Sequence, residues 1–461
     1  MHSRRDFVKT SAMACAAALS GGVFQPDPAC RPGRSKITVK SGRSAFEREP
    51  LIRPLGFKGV YVNELWQSAA LIETNSGSRN VGLQTHGLAW SDINVFSTHS
   101  EVEGNMLVIK TLDYALQQIS GQSFTNPIEL LDKILMDVHK YGQTITGRQN
   151  LRMTFTLSSL VALDNALWMI YALENGYRNF DEMIPQEYRQ VFENHLRYVA
   201  HAPLMAYGVP LEEITQAVDQ GYFFMKIKIG RPGTQEEMLE GDKARIEAIH
   251  KLIGQRESKH TLNGRIPYYF DANGRYEKKD TLEKLLDHAR KIGMFDQIAL
   301  VEEPFPEEAE IDVSDLGVRI AADESAHTAG DVTRRIQMGY RAIALKAAAK
   351  TLSMTMKMAK VAHENNIPCF LADLTCIPVL VDWNKNVAAR LAPFPGLNEM
   401  GLLESNGHQN YLNWKKLVSY CPYPGASWME SKDGLFSLDM DFYDKSGGIL
   451  RSSEHYLQLF G

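Results

Sequence analysis

The 461 residues are long enough for two domains, or for one large barrel with an appendage. At 44% hydrophobic and 23% charged residues the composition is that of an ordinary globular enzyme. A formal net charge of -5, with no long basic block, argues against nucleic-acid binding, and no apolar run reaches the roughly 18–20 residues of a membrane span.

The chain opens MHSRRDFVKTSAMACAAALSGGVF, in which Arg4, Arg5, Phe7 and Lys9 precede an Ala-rich apolar stretch. This S-R-R-x-F-x-K run resembles a twin-arginine export signal. Residues 1–30 are therefore expected to be a leader read by the twin-arginine export machinery, and the protein to be exported, in the bacterial periplasm. Cys15 and Cys30 lie in or near the leader. Cys369, Cys376 and Cys421 have no C-x-x-C and no zinc spacing, so they are expected to be buried thiols.

Residues 31–50 read as a basic linker. VYVNELWQSAALIETNSG reads as a hairpin with Asn75-Ser76-Gly77 as its turn, and MLVIKTLDY as another strand. NPIELLDKILMDVHKYG and TFTLSSLVALDNALWMIYALENG read as helices, the second apolar nearly all round and hence buried. Residues 31–200 are thus expected to be a linker and an α+β capping domain.

From about Ala202 apolar runs of strand length alternate with helical segments: APLMAYGV, FFMKIKIG, PYYFDANG, IALVEEPF, RIAADESA, AIALKAA, PCFLADLT and LNEMGLLE. Eight strands with helical crossovers predict a parallel barrel over residues 201–410. Residues 411–461, with a strand-like LFSLDMDFYD, are expected to pack back on the capping domain. There Asp439 and Asp441 would share one solvated strand face.

The chemistry lies at the predicted strand ends. Asp271, Glu302 and Asp323 are oxygen donors from three consecutive strands, a set that suits six-coordinate Mg2+. Glu302 and Glu303 point to opposite sides if extended, and Glu302 is taken as the ligand. Glu324 and Asn273 are expected just behind the ligands. Lys226 and Lys228 share one strand face, and Lys226 is expected to depress the pKa of Lys228 toward the range of a general base. Lys346 ends the sixth strand, across the barrel from the second. A base on each face of one carbon allows proton removal from one side and return from the other. A metal holding the neighbouring carboxylate would stabilise the enediolate. The pairing of lysine bases with Mg2+ is a pattern already described for enolase-type sites.

The ordered series K-I-K, D-A-N, E-E-P, A-D-E-S and a strand-six lysine resembles the enolase superfamily, and most the muconate-lactonizing branch that includes the dipeptide epimerases. The segment Ala162-Leu163-Asp164-Asn165-Ala166-Leu167-Trp168 resembles one that precedes the barrel there. The resemblance implies an α/β fold, a modified TIM barrel of (β/α)7β type, with an α+β N-terminal capping domain completed by the C-terminal segment. It implies Mg2+ on Asp271, Glu302 and Asp323, Lys228 and Lys346 as opposed acid and base, Lys226 assisting, and Glu324 orienting Lys346. Three departures stand out: LNEMGLLES lacks the Asp-x-Asp of dipeptide epimerases, Ala347-Ala348-Ala349-Lys350 replaces a Gly-containing loop, and the seventh strand ends in Asp373 with no His.

Cap loops over the mouth should set specificity. His86, Trp90, Asp373 and Glu399 are the candidates for substrate contact. The expected function is a Mg2+-dependent racemase or epimerase of a small-molecule carboxylate, a dipeptide or acid sugar, assembled as a homo-oligomer. The alternatives are a dehydratase or cycloisomerase using the same site, and a catalytically silent exported binding protein.

Overall fold

The computed structural model describes residues 36–57 and 60–461; the expected leader lies outside the described residues. β1 (Ile37–Phe57) and β2 (Val60–Thr74) form a long antiparallel hairpin, with Val39 opposite Thr74. The stretch expected as a linker is thus strand from Ile37 onward. Its basic and small residues hide a short alternation, in which Ile37 and Val39 are buried and Lys40 is exposed. The predicted Asn75-Ser76-Gly77 turn leads into β3 (Arg79–Thr85), and β4 (Ser123–Phe124) pairs with the start of β1, giving the order β3-β2-β1-β4.

Between β3 and β4 lie α1 (Leu88–Ser91) and α2 (Glu101–Ile119). MLVIKTLDY, expected as a strand, is inside α2. Its β-branched residues suggested a sheet. The helix is started by a capping box between Ser100 and Glu103, and Val108, Leu112, Ala115 and Ile119 are buried at helical spacing. α3 (Pro127–Thr146) matches the first predicted helix. The second is two helices, α4 (Met153–Ser159) and α5 (Val161–Asn175), bent by 48°. α5 is buried on nearly every face and lies on β3. A methyl group at Gly82 would run into its backbone at Ala162 and Ala166, so glycine sets the distance between this sheet and helix.

The second sheet is the barrel. Strand one is split: β5 (Tyr198–Ala202) pairs with the last barrel strand and β6 (Leu204–Met205) with the second, with Pro203 between them. β7 (Met225–Lys228), β8 (Tyr268–Asp271), β9 (Ile298–Glu302), β10 (Ile320–Ala322), β11 (Ala342–Leu345), β12 (Cys369–Leu371) and β13 (Gly401–Glu404) follow in order, each parallel to the one before, and β13 closes on β5. Each falls in a predicted strand segment. Helices α6 (Leu211–Asp219), α7 (Gln235–Ile253), α8 (Lys279–Lys291), α9 (Ala329–Gln337), α10 (Leu352–Glu364) and α11 (Pro378–Ala388) fill the crossovers, except that residues 303–319 cross from β9 to β10 as turns. This is the modified TIM barrel with a capping domain.

Inside the barrel, Ala200, Ala202, Ala321, Ala342, Ala344 and Ala372 leave room for Phe224, Tyr269, Phe370 and Phe394. The rings of Tyr269 and Phe370 meet edge-on at 5.5 Å. This packed floor closes the barrel interior beneath the strand C-termini.

β14 (Leu435–Ser437) joins β5 antiparallel. Asp439 and Asp441 do not share a strand face, because Asp439 caps the helix Met440–Lys445 by accepting from Phe442 N at 2.9 Å. The C-terminal segment reaches the capping sheet through His455 on Glu47 at 2.9 Å and Ser452 Oγ on Val81 N at 3.0 Å. Cys369, Cys376 and Cys421 are buried free thiols.

Candidate active site

The parallel register lines up the chemistry. Lys228 stands opposite Asp271, and Asp271 opposite Glu302. All the strands end on the same side of the floor, so charged residues that would be costly mid-strand converge on one pocket.

Lys226 is buried and lies 3.0 Å from Asp271 Oδ2, 2.9 Å from Glu302 Oε1 and 3.7 Å from Glu404 Oε2. Lys228 donates to Asp271 Oδ2 at 2.5 Å and to Asn273 Oδ1. Burial works against the Asp271 charge, yet the Lys226 and Lys228 ammoniums win and hold the carboxyl down at about 2. Burial also works against the charge on Lys226, and Asp271 and Glu302 reverse it, so its pKa rises well above the usual value.

Glu302 points inward as expected. Burial, followed by repulsion from Asp271, drives its pKa well up, and Tyr269 donates a hydroxyl hydrogen bond to Oε2. Glu303 points the other way, with Oε2 accepting from Asp323 N at 2.7 Å and Ser325 N at 3.2 Å. Burial and the Glu324 carboxylate raise it to about 7.

Lys346 Nζ is 3.0 Å from Asp323 Oδ2 and 4.7 Å from the centre of the Trp90 ring. Trp90 donates its indole N–H to the same Asp323 oxygen at 3.3 Å. Lys350, one turn beyond Lys346 and fully buried, donates to Asp323 O at 2.7 Å and to Oδ1 at 3.3 Å. Burial opposes ionisation of Asp323, but Lys346 and Lys350 outweigh it and hold the carboxyl low. Burial outweighs the pull of Asp323 at Lys350 and lowers its pKa. At Lys346 the balance tips the other way and the pKa rises.

Glu324 does not touch Lys346. Its Oε1 accepts from Asn273 Nδ2 at 2.9 Å, and its Oε2 is buried without a hydrogen-bond partner. The expected role of orienting Lys346 falls instead to Asp323 and Trp90. Asn273 also donates to Asp271 Oδ2 at 3.3 Å, so it bridges two of the acids.

The pocket above these groups is lined by cap and barrel residues together. His86 lines it but is locked, with Nε2 on Ser68 Oγ at 2.6 Å and Nδ1 on Asn105 Oδ1 at 2.9 Å. Burial lowers its pKa to about 4, so it is a neutral wall. Asp373 also lines the pocket; burial and the neighbouring Glu404 carboxylate raise it to about 7. Glu399 does not line the pocket. It is exposed and lies before β13, on the barrel side away from the mouth, beside Pro393 and Asn398. The residue of that strand that reaches the mouth is Glu404 at its C-terminal end. Glu404 and Lys350 were missed as site residues. The signals were the strand-end position of Glu404 and the i, i+4 spacing of Lys346 and Lys350.

The donor set suits a hard divalent cation. Carboxylate oxygens of Glu302, Asp323 and Glu324 lie within 4.8 Å of one another. Setting aside Glu303, which faces Arg335, the acids Asp271, Glu302, Asp323, Glu324, Asp373 and Glu404 outnumber the lysines 226, 228, 346 and 350 by two. An orphaned carboxylate oxygen on Glu324 and an acid driven toward its neutral form at Glu302 are what an added dication would relieve. Asp271, expected as a ligand, is engaged by two lysines in this structure, whereas Glu324 stands in the acid group.

The profile of the family described as Enolase C-terminal domain-like matches residues 211–405, from the first residue of α6 to just past the end of β13. Over residues 211–405 the chain is thus similar to the enolase C-terminal domain-like family. No curated protein sequence matches the chain. Solved structures with the same fold include a dipeptide epimerase from Enterococcus faecalis V583, complexed with Mg and the dipeptide L-Leu-L-Tyr. It is 16% identical with a TM-score of 0.55, covering 80% of this chain and 90% of that one. A dipeptide epimerase from Cytophaga hutchinsonii, complexed with Mg and D-Ala-L-Val, is 14% identical with a TM-score of 0.59, covering 81% and 88%. A mandelate racemase/muconate lactonizing protein from Herpetosiphon aurantiacus is 15% identical with a TM-score of 0.58, covering 80% and 88%. At such identities the likeness establishes the fold alone, a modified TIM barrel with a capping domain.

Proposed function

We propose that the protein is a Mg2+-dependent racemase or epimerase that removes and returns the proton next to a substrate carboxylate. The observation that carries this is the placement of Lys228 and Lys346. They stand at the C-terminal ends of β7 and β11, on opposite sides of the strand ring, and both line one pocket with the acids Asp271 and Asp323. Glu302, Asp323 and either Asp271 or Glu324 would hold the ion, which when bound supplies a Lewis-acid contact to the substrate carboxylate and makes the adjacent C–H more acidic.

The chain's own groups do the rest. Lys228 is oriented by Asp271 and Asn273, and Lys346 by Asp323 and the Trp90 ring, so each Nζ is held in one place before substrate arrives. One lysine takes the proton from its face of the carbon and the other delivers a proton to the opposite face. Trp66, Leu88, Trp90, Phe96 and Leu374 wall the pocket, which excludes water and suits a substrate with an apolar substituent. Asp373 and Glu404 are positioned to accept from a substrate donor at the ends of β12 and β13.

A second reading, elimination or cycloisomerisation through the same site, draws support from one observation. Lys346 is pinned between Asp323 and Trp90 with its pKa raised, which suits a lysine that stays charged and only stabilises negative charge. A screen of α-substituted carboxylic acids and dipeptides in deuterated buffer with Mg2+, followed by NMR, separates the two. Exchange with stereoinversion supports racemisation, and loss of water or ring opening supports elimination. Tight binding of one compound with no exchange in any would point to a silent binding protein. The leader supports a periplasmic location; fractionation of cells with Arg4 and Arg5 intact or replaced by Lys tests it.

A further inference from the structure

A second chamber adjoins the catalytic pocket and shares Leu55, Gly56, Leu204, Lys228 and Asn273 with it. It encloses about 270 Å3 beneath the distal part of the β1–β2 hairpin. Its electrostatics differ from those of the catalytic pocket. Among the described residues, Arg53, Lys228 and Arg275 are its charged lining and no carboxylate lines it, whereas the catalytic pocket is rich in acids.

Arg275 is the unusual member. It is half-buried and has no carboxylate at ion-pair distance among the described residues. Arg53, by contrast, pairs with Glu213 at 3.4 Å in the open. The stem of Arg275 packs on Gly230, where a methyl group would lie 2.7 Å from Arg275 Cβ, so the missing side chain at Gly230 makes room for it. Gly230 holds φ 78°, a conformation that favours glycine. A guanidinium on a concave wall, with no acid at ion-pair distance, can grip an entering oxyanion through its planar fork.

We propose that this chamber is a second anion subsite and that the natural substrate is a dianion. Its first carboxylate would sit at the acid and lysine cluster, and a second oxyanion, carboxylate or phosphoryl, would be bound by the Arg275 fork. The inference rests on the reading above for where the first carboxylate lies, and it adds a substrate class.

The test is calorimetric binding to the full chain in Mg2+, with succinate, glutarate, adipate and 3-phosphonopropionate as probes against butyrate. At least one dianion should bind about 10- to 100-fold more tightly than butyrate. That advantage should vanish in Arg275→Met, persist in part in Arg275→Lys, and leave butyrate binding unchanged in both. Circular dichroism confirms that the variants are folded. Dianions that bind no better than butyrate, or an advantage that survives Arg275→Met, would overturn the proposal. These probes need not react, so a protein that binds them through Arg275 yet exchanges no α-proton would sink the racemase reading while leaving the subsite standing.

Discussion

Replacing Lys228 or Lys346 with Ala should remove proton exchange from opposite enantiomers of one substrate. The geometry predicts that both variants fold. Truncating one member of a buried ion pair costs about 3–5 kcal/mol when the partner charge is left alone. Here neither partner is left alone. Asp271 keeps Lys226 at 3.0 Å after loss of Lys228, and Asp323 keeps Lys350 at 3.3 Å and the Trp90 N–H at 3.3 Å after loss of Lys346. The structural cost should therefore stay at or below the lower end of that range. The catalytic cost is separate: a positioned general base contributes about 10²–10⁴-fold. Each variant should lose about that much exchange from one enantiomer and far less from the other. The assay is NMR of the α-proton in deuterated buffer with Mg2+, run on each enantiomer with wild type and both variants. Loss of the same enantiomer's exchange in both variants would refute the two-base arrangement and favour a charge-stabilising role for Lys346.

Mg2+ at 100 times its Kd should stabilise the protein by about 2.7 kcal/mol, a rise of about 3 °C in Tm over the EDTA-treated protein; Glu302→Gln should abolish most of that rise in a thermal melt. Trp90→Phe keeps the ring against Lys346 but removes the N–H to Asp323, so kcat should fall about 3- to 10-fold, whereas Trp90→Ala should cost more; steady-state kinetics reads both. Burial raises Asp164 from 3.8 to about 6, so the folded state binds its proton more tightly than the unfolded chain. This group's contribution therefore falls by about 3 kcal/mol as pH rises from 4 through 6 and is level above that. Denaturant melts of Asp164→Asn should lack that part of the pH dependence, and an identical wild-type and variant difference at pH 4 and pH 7 would contradict it.

The barrel was legible because its strands announce themselves twice, by short apolar runs and by a charge at each C-terminal end. Lys226, Lys228, Asp271, Glu302, Asp323 and Lys346 carry both marks, and all converge on one pocket or its floor. The cap was less legible. A helix rich in β-branched residues, as in MLVIKTLDY, is settled by its capping box and by what it packs on, and only the first of these is visible locally. β1 begins among basic and small residues whose partners, Thr74 and Glu73, lie far along the chain. At the site, Glu399 reads as a mouth residue only if the last strand begins a few residues before Gly401, which exchanges the closed end of the barrel for the open one. Lys350 was visible as a departure in a loop, but its burial against Asp323 depends on the short helix Ala347–Lys350 that the alanines form.

Asp164 of α5 accepts from Ser353 N at 3.1 Å at the start of α10, and Trp168 donates to Ser353 Oγ at 3.0 Å. The peptide that carries Lys346 and Lys350 is thereby fastened to the lid domain only a few residues downstream. Anyone transplanting a lid from a relative to alter selectivity would have to bring the matching fastener on both sides, because a graft that breaks it loosens the very amines the new lid is meant to serve.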